Sequence, residues 1–186
     1  MKARGLLHNL VVASLATFFS VQAGLAQTPA LDDLFGQLAA APDARAAARI
    51  ERQIWDEWSK SGSAAMDLLL QRGREALGAG DTTQAIEHLT ALTDHAPDFA
   101  EGWNARAAAY FQAGEYGPSV ADIARTLALN PRHFGALAGL GAIYEQLDRP
   151  EQALRAYRAA LAIHPWLQGV LDAVERLETE TGGQTL

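Results

Sequence analysis

The sequence predicts an all-α protein, an α-solenoid of stacked helix-turn-helix units, and three observations predict it. Pro97, Pro131 and Pro165 are spaced by 34 residues. Residues of one type recur in phase with them: Leu69, Trp103 and Leu137; Gly73, Ala107 and Gly141; Ala76, Tyr110 and Tyr144; and later Ala85, Ser119 and Ala153, then Leu89, Ile123 and Tyr157, then Leu92, Thr126 and Ala160. Within each period apolar residues fall three or four apart, and the pattern breaks once, at Gly78 to Gly80, Gly114 to Pro118 and Asp148 to Pro150. A helix pair of this kind cannot bury its apolar face alone, so the pairs must stack.

The elements follow in chain order. Residues 1–26 carry a cationic start (Lys2, Arg4), an apolar run from Leu10 to Val21 and small residues before a cut after Ala26 or Ala23, the pattern of a secretory signal peptide. The run is 12 residues long where a membrane-spanning helix needs about 20, so cleavage and a periplasmic or otherwise exported location are the expectation. Residues 27–65 read as a degenerate helical repeat: Leu31, Leu34, Phe35 and Leu38 form one apolar face, Pro42-Asp43 breaks it, and Ile50, Ile54, Trp55 and Trp58 form the next. Three full repeats follow at 66–99, 100–133 and 134–167. Residues 168–181 continue the apolar stripe through Leu171, Val174 and Leu177 but carry Asp172, Glu175, Arg176 and Glu178 outward, as a solvating end helix must. Gly182 and Gly183 end it, leaving 182–186 as a flexible tail.

Composition excludes several functions. Net charge is -7, and loss of Lys2 and Arg4 with the leader takes it to -9, which gives no electrostatic reason to bind nucleic acid or anionic lipid. There are no cysteines, hence no disulfide and no thiolate metal site. His88, His95, His133 and His164 never stand three or four apart on one helix, which is poor spacing for a metal. No G-x-S-x-G, phosphate loop or H-E-x-x-H occurs. The stretch HAPDFAEGW, residues 95–103, gathers a histidine and two acids, yet it reads as a joint: Asp98 as N-cap, Glu101 completing a capping box, Trp103 and Tyr110 in the core, and His95 at the end of the preceding helix. Asp81 with Gln84 repeats the device. The glycines of FGALAGLGAIY fall inside a helix and call for close packing there, or a partner that approaches closely.

A period of 34 with large-x2-large-Gly-x2-Tyr, then Ala-x3-aromatic, then Pro resembles the tetratricopeptide repeat. The third copy carries it most fully, in Leu137, Leu140, Gly141, Tyr144, Ala153, Tyr157, Ala160 and Pro165. The second departs at Arg106, Ser119 and Thr126, and the first at Arg72 and Ala76. The resemblance implies a right-handed superhelix whose first helices line a concave groove for an extended or helical peptide, a non-catalytic scaffold without cofactor. For exported bacterial members it implies a part in assembling envelope or cytochrome complexes. The groove positions carry over to Asp67, Leu70, Arg74 and Leu77; to Glu101, Asn104, Ala108, Phe111 and Gln112; and to Gly135, Ala138, Ala142, Glu145 and Gln146. Phe111 is the expected apolar anchor, with Arg74, Asn104, Gln112 and Glu145 setting orientation. One branch of the family clamps a terminal carboxylate with Lys, Arg and Asn. Here Arg74 matches one clamp position, while Leu70, Ala105, Gly135 and Gly139 occupy the others, so that clamp is absent. Three alternatives stay open: the N-terminal region, with Trp55 and Trp58, covers part of the groove, the chain self-assembles, or, least favoured by its motifs, it is an enzyme.

Overall fold

The computed structural model describes residues 29–182, so the expected signal peptide of residues 1–26 and the last four residues lie outside it. Its described residues form nine α-helices: α1 Pro29–Ala39, α2 Ala44–Trp58, α3 Ala64–Gly78, α4 Thr82–His95, α5 Ala100–Gln112, α6 Tyr116–Leu129, α7 Phe134–Gln146, α8 Pro150–Ile163 and α9 Gln168–Gly182. None of these helices is long and apolar enough to cross a membrane.

The period of 34 reappears as a repeated backbone turn. Gly80, Gly114 and Asp148, each 34 apart, hold φ of 80°, 77° and 53°. The next amide in each case, on Asp81, Glu115 and Arg149, donates back to the carbonyl of Ala76, Tyr110 or Tyr144 at 2.9, 2.8 and 2.9 Å. This left-handed cap satisfies the last carbonyls of the first helix and reverses the chain into the second. Glycine adopts it freely in two copies, and in the third Asp148 accepts it at a steric cost.

Within each pair the small residue of the first helix meets the bulky one of the second. A Cβ on Gly73 would stand 2.4 Å from Leu89 Cγ, and one on Gly141 2.4 Å from the Tyr157 ring, so only glycine permits these crossings. Pairs α3/α4, α5/α6 and α7/α8 then stack, and α9 closes the end on α8. The first helices α3, α5 and α7 also approach one another directly, which the second helices do not do to the same extent. The stack therefore curves with the first helices on its inner side. Separate core clusters lie between pairs: Leu70, Leu89, Leu92 and Ala105; Ala107, Ile123, Ala136 and Ile143; and Leu154, Tyr157, Val170 and Leu177.

The second repeat fills its irregular positions with polar groups that satisfy one another. Arg106 donates from Nε and Nη2 to both oxygens of Asp122 at 2.7 and 2.9 Å and from Nη1 to Thr93 at 2.8 Å. Ser119 Oγ donates to the Ala107 carbonyl at 2.7 Å, and Thr126 Oγ1 to that of Asp122 at 2.9 Å. Trp103 and Tyr110, expected in the core, are half-buried, with the Arg106 guanidinium 4.8 and 5.7 Å from their ring centres.

Two expectations need correction. The capping box at α5 does not form: the N-cap is Phe99, Asp98 is bound by Arg125, and Glu101 turns inward to partners described below. Asp81 does cap α4, accepting from the Gln84 amide at 3.0 Å. The second correction concerns residues 27–65, whose described part forms the expected helical hairpin but does not extend the stack ahead of α3. Its cluster of Phe35, Leu38, Ala47, Ile54 and Trp58 packs on Phe134, Ile163, Trp166 and Leu167, at the far end of the array.

Candidate functional site

The hairpin folds back because α2 carries a wide apolar stripe that α1 covers only in part. The remainder, centred on Trp55 and Trp58, lies against the N-terminal ends of the inner helices. Trp58 stacks on His133, ring centres 4.2 Å apart and planes 18° apart, and packs against Phe134 at 5.0 Å. Trp55 meets Phe134 and His133 edge-on at 5.6 and 5.4 Å. It also occupies the space above Gly135, where a Cβ would stand 2.7 Å from the indole Cη2. Of the glycines read from the sequence as a floor, Gly135 is thus covered by an aromatic of the chain itself, while Gly139 faces Ile123 and Gly141 faces Tyr157.

Beneath α2 the polar groups form a closed circuit. Glu101 is 2 % exposed. Its Oε1 accepts from Arg74 Nη2 at 2.6 Å, both its oxygens accept from Asn104 at 3.2 Å, and its Oε2 lies 2.9 Å from His133 Nε2. Because His133 Nδ1 accepts from the Ala136 amide at 3.1 Å, the ring proton must sit on Nε2 and donate to Glu101. The carboxylate then has three donors around it, which is what a buried anion requires. Arg74 reaches on to Ser59 Oγ at 3.0 Å, tying the circuit to the end of α2.

The same arrangement recurs one repeat later. His164 Nδ1 accepts from the Trp166 amide at 3.2 Å, so Nε2 carries the proton that Glu51 of α2 receives at 3.2 Å. That hydrogen bond, with a second from the Trp55 indole and the nearby Arg52, holds the Glu51 carboxyl below the usual carboxylate range against the opposing effect of burial. On the outer edge Arg132 binds Asp32 at 2.5 Å and lies over the Phe35 ring, 4.1 Å from its centre.

The groove residues expected from the sequence divide into three groups. Arg74, Glu101, Asn104 and Gly135 come together under the hairpin. Leu70 is 2 % exposed and belongs to the core between repeats, which takes it out of a partner's reach, and Leu77 is half-buried at the edge of the same core. Asp67 is taken by Ser61, which donates from its amide at 2.8 Å and its hydroxyl at 2.5 Å. Glu145 is engaged too, by the Tyr157 hydroxyl and by Arg176 of α9, each at 2.5 Å, which removes it as an orienting group for a partner. Burial and that hydrogen bond push the Tyr157 hydroxyl well above its ordinary range. Ala138 packs against the core next to α9. Ala108, Gln112 and Gln146 are exposed and Phe111 and Ala142 half-buried, and together they form the open half of the inner face. Phe111 leans on Tyr116, ring centres 5.8 Å apart.

Sequence reasoning missed His133, His164, Glu51 and Arg132 as parts of this surface. One signal was available: Gly135 stands where the other repeats carry Asp67 and Glu101, opposite a chain that elsewhere offers Trp-x2-Trp. No cluster of three or more metal-ligating side chains occurs among the described residues.

Comparison with known proteins agrees with this architecture. Residues 70–119 and 119–165 each match the tetratricopeptide repeat family. The chain is 36% identical over 153 residues to a TPR repeat-containing protein of Rhizobium etli, covering 82% of this chain and 75% of that one. Among solved structures it is similar to the first TPR of Spaghetti (RPAP3) bound to an HSP90 peptide, with TM-score 0.61, 22% identity and coverage of 64% of this chain and 95% of that chain. It is also similar to MamA, with TM-score 0.59, 20% identity and coverage of 80% and 84%. At these identities the structural likenesses establish the shared fold.

Proposed function

The chain belongs to the tetratricopeptide repeat family, and from that premise we propose that it is a non-catalytic scaffold whose inner face holds a helix or extended segment of a partner protein. The observation that carries the reading is that this face already holds a helix. It grips α2 with an aromatic seat, the His164–Glu51 pair and an arginine link to Ser59, while the His133–Glu101 pair braces the seat from within the array. A surface that satisfies one amphipathic helix in this way is chemically suited to helices as a class. The ionisable groups that converge there are paired with one another, which supports binding over catalysis.

The open half supplies the remaining contact area, with Ala108 and Ala142 as a floor, Phe111 as apolar anchor and Gln112 and Gln146 as hydrogen-bonding rim. Small side chains let a partner backbone approach closely, and the half-buried aromatic gives it something to cover. The fold neighbour solved with an HSP90 peptide holds a peptide ligand, but this chain lacks the clamp set, so a terminal carboxylate is not the feature it would read. The cationic, apolar and small-residue pattern of residues 1–26 supports placing the protein in the periplasm, where the same scaffold would serve assembly of envelope complexes.

Crosslinking in whole cells tests the reading, comparing the chain with an Ala108→Arg, Ala142→Arg variant of equal helicity. Partner recovery lost in the variant supports the inner face as the binding surface, and equal recovery refutes it. N-terminal sequencing of the cell-fractionated protein tests the location: a start at residue 24 or 27 in the periplasmic fraction is expected, and an intact Met1 in the cytoplasm overturns it.

A further inference from the structure

The seat beneath α2 specifies more than an apolar partner. Trp55 requires the bare backbone of Gly135, Trp58 requires the flat face of His133, and Glu51 requires the Nε2 proton of His164. These three side chains lie at i, i+4 and i+7 on one face of a helix, a pattern written Glu-x3-Trp-x2-Trp. We infer that this seat is a recognition site for amphipathic helices of that pattern, that α2 is its resident occupant, and that a partner helix with the same pattern exchanges with it. The inference rests on the scaffold reading and names the class of partner.

Three features of the structure make α2 an occupant and not a fixed part of the array. Its core cluster takes in only Phe134 among the buried residues of the array, with the half-buried Ile163, Trp166 and Leu167 at its edge, and only Leu167 also touches another cluster. It does not approach α3, its neighbour in sequence, as the paired helices approach each other, so the stack does not depend on it for continuity. The connection is the short polar stretch SKSGS, residues 59–63, with Gly62 at φ 83°. Departure of the hairpin would bare Phe134, which is 0 % exposed, along with the side chains of Trp166 and Leu167 that pack on it. An uncovered apolar patch of that kind is unfavourable in water, so the site exchanges one aromatic helix for another instead of standing empty.

The test uses the whole chain and a labelled peptide of residues 44–59, ARAAARIERQIWDEWS, followed by fluorescence anisotropy. The unaltered chain should bind it weakly, because its own α2 competes at the millimolar effective concentration of a short tether. A Trp55→Ala, Trp58→Ala chain, whose resident is weakened while the seat is intact, should bind at least about tenfold more tightly. Adding Gly135→Leu, which fills the Trp55 position, should abolish that gain. A peptide with both tryptophans replaced by alanine should not bind. Absence of binding by the double variant, with helicity retained, overturns the inference. So does a doubled mass in light scattering that disappears in the double variant, since it would assign the seat to a second copy. If peptide binding fails while partner recovery still depends on Ala108 and Ala142, the scaffold reading stands and this inference alone falls.

Discussion

Replacing Trp58 with alanine should release the hairpin while leaving the array folded. Trp58 is 8 % exposed and packs on four rings, with centres 4.2 Å away at His133, 5.0 Å at Phe134, 5.2 Å at Trp55 and 6.0 Å at Phe35. Truncating a buried aromatic of this size costs about 3–5 kcal/mol. None of its contacts belongs to the clusters between the repeats, so the loss falls on the docking equilibrium of α1 and α2 and not on global unfolding. Once undocked, a 15-residue helix is marginal in water, and its amides exchange. At roughly 1.4 kcal/mol per decade, hydrogen exchange in α2 should accelerate by about two to three and a half orders of magnitude, up to the limit of complete undocking. Amides of α5 around Ala105 and Ala109 should keep their protection. Equal loss of protection in α2, α5 and α8, or none in α2, would show that the hairpin and the array unfold as one unit and would refute the reasoning.

Other perturbations follow from the same geometry. Glu51 has its folded-state pKa lowered, chiefly by the hydrogen bond from His164, so its contribution to docking is fully present above its unfolded value near 4.5 and is lost as pH falls through the folded value. Tryptophan fluorescence between pH 6 and pH 3 should report early hairpin release, and Glu51→Gln should flatten that phase. Gly141→Ala puts a methyl 2.4 Å from the Tyr157 ring and should cost about 1–3 kcal/mol in denaturant melts, whereas Gly117→Ala, with no atom within 4 Å and in the first turn of α6, should be neutral or stabilise by up to ~1 kcal/mol. Asp122→Ala strands the Arg106 guanidinium between α4, α5 and α6 and should cost about 3–5 kcal/mol, while Arg106→Leu with Asp122→Ala should cost less than the single change, a coupling that a double-mutant cycle measures.

The repeat array was legible because its information is periodic. The proline spacing, the glycine-to-bulky pairing of Gly73 with Leu89 and Gly141 with Tyr157, and the turns at Gly80, Gly114 and Asp148 all recur at one interval, and each helix pair needs the same sizes at the same places. The site was only half legible, for a different physical reason. Periodicity identifies which face of α2 is apolar but not which surface covers it. Glu101 shows the limit: a local rule reads Asp98 and Glu101 as a capping box, whereas the carboxylate is claimed by Arg74, 27 residues before it, and His133, 32 residues after it. A buried imidazole and a charged guanidinium from the neighbouring repeats outcompete one exposed helix end. Glu145 was misread in the same way, because the return of α9 to place Arg176 against it lies 31 residues further on.

The contacts that seat the hairpin are among the longest in the chain: Asp32 meets Arg132 across 100 residues and Glu51 meets His164 across 113. A growing polypeptide therefore makes its first two helices long before it makes the surface they need. At roughly 5–20 residues per second, about 5 to 20 seconds of synthesis separate Trp55 from the turn at His164. During that interval the two tryptophans stand open to any binding protein that meets the nascent chain. Each pair of the array can settle against its predecessor as it emerges, but the hairpin must wait until the seventh helix and the turn after the eighth exist, with only α9 still to come. Assembly order thus departs from sequence order at this end of the molecule, and the hairpin, made before the repeats, docks only after they are built.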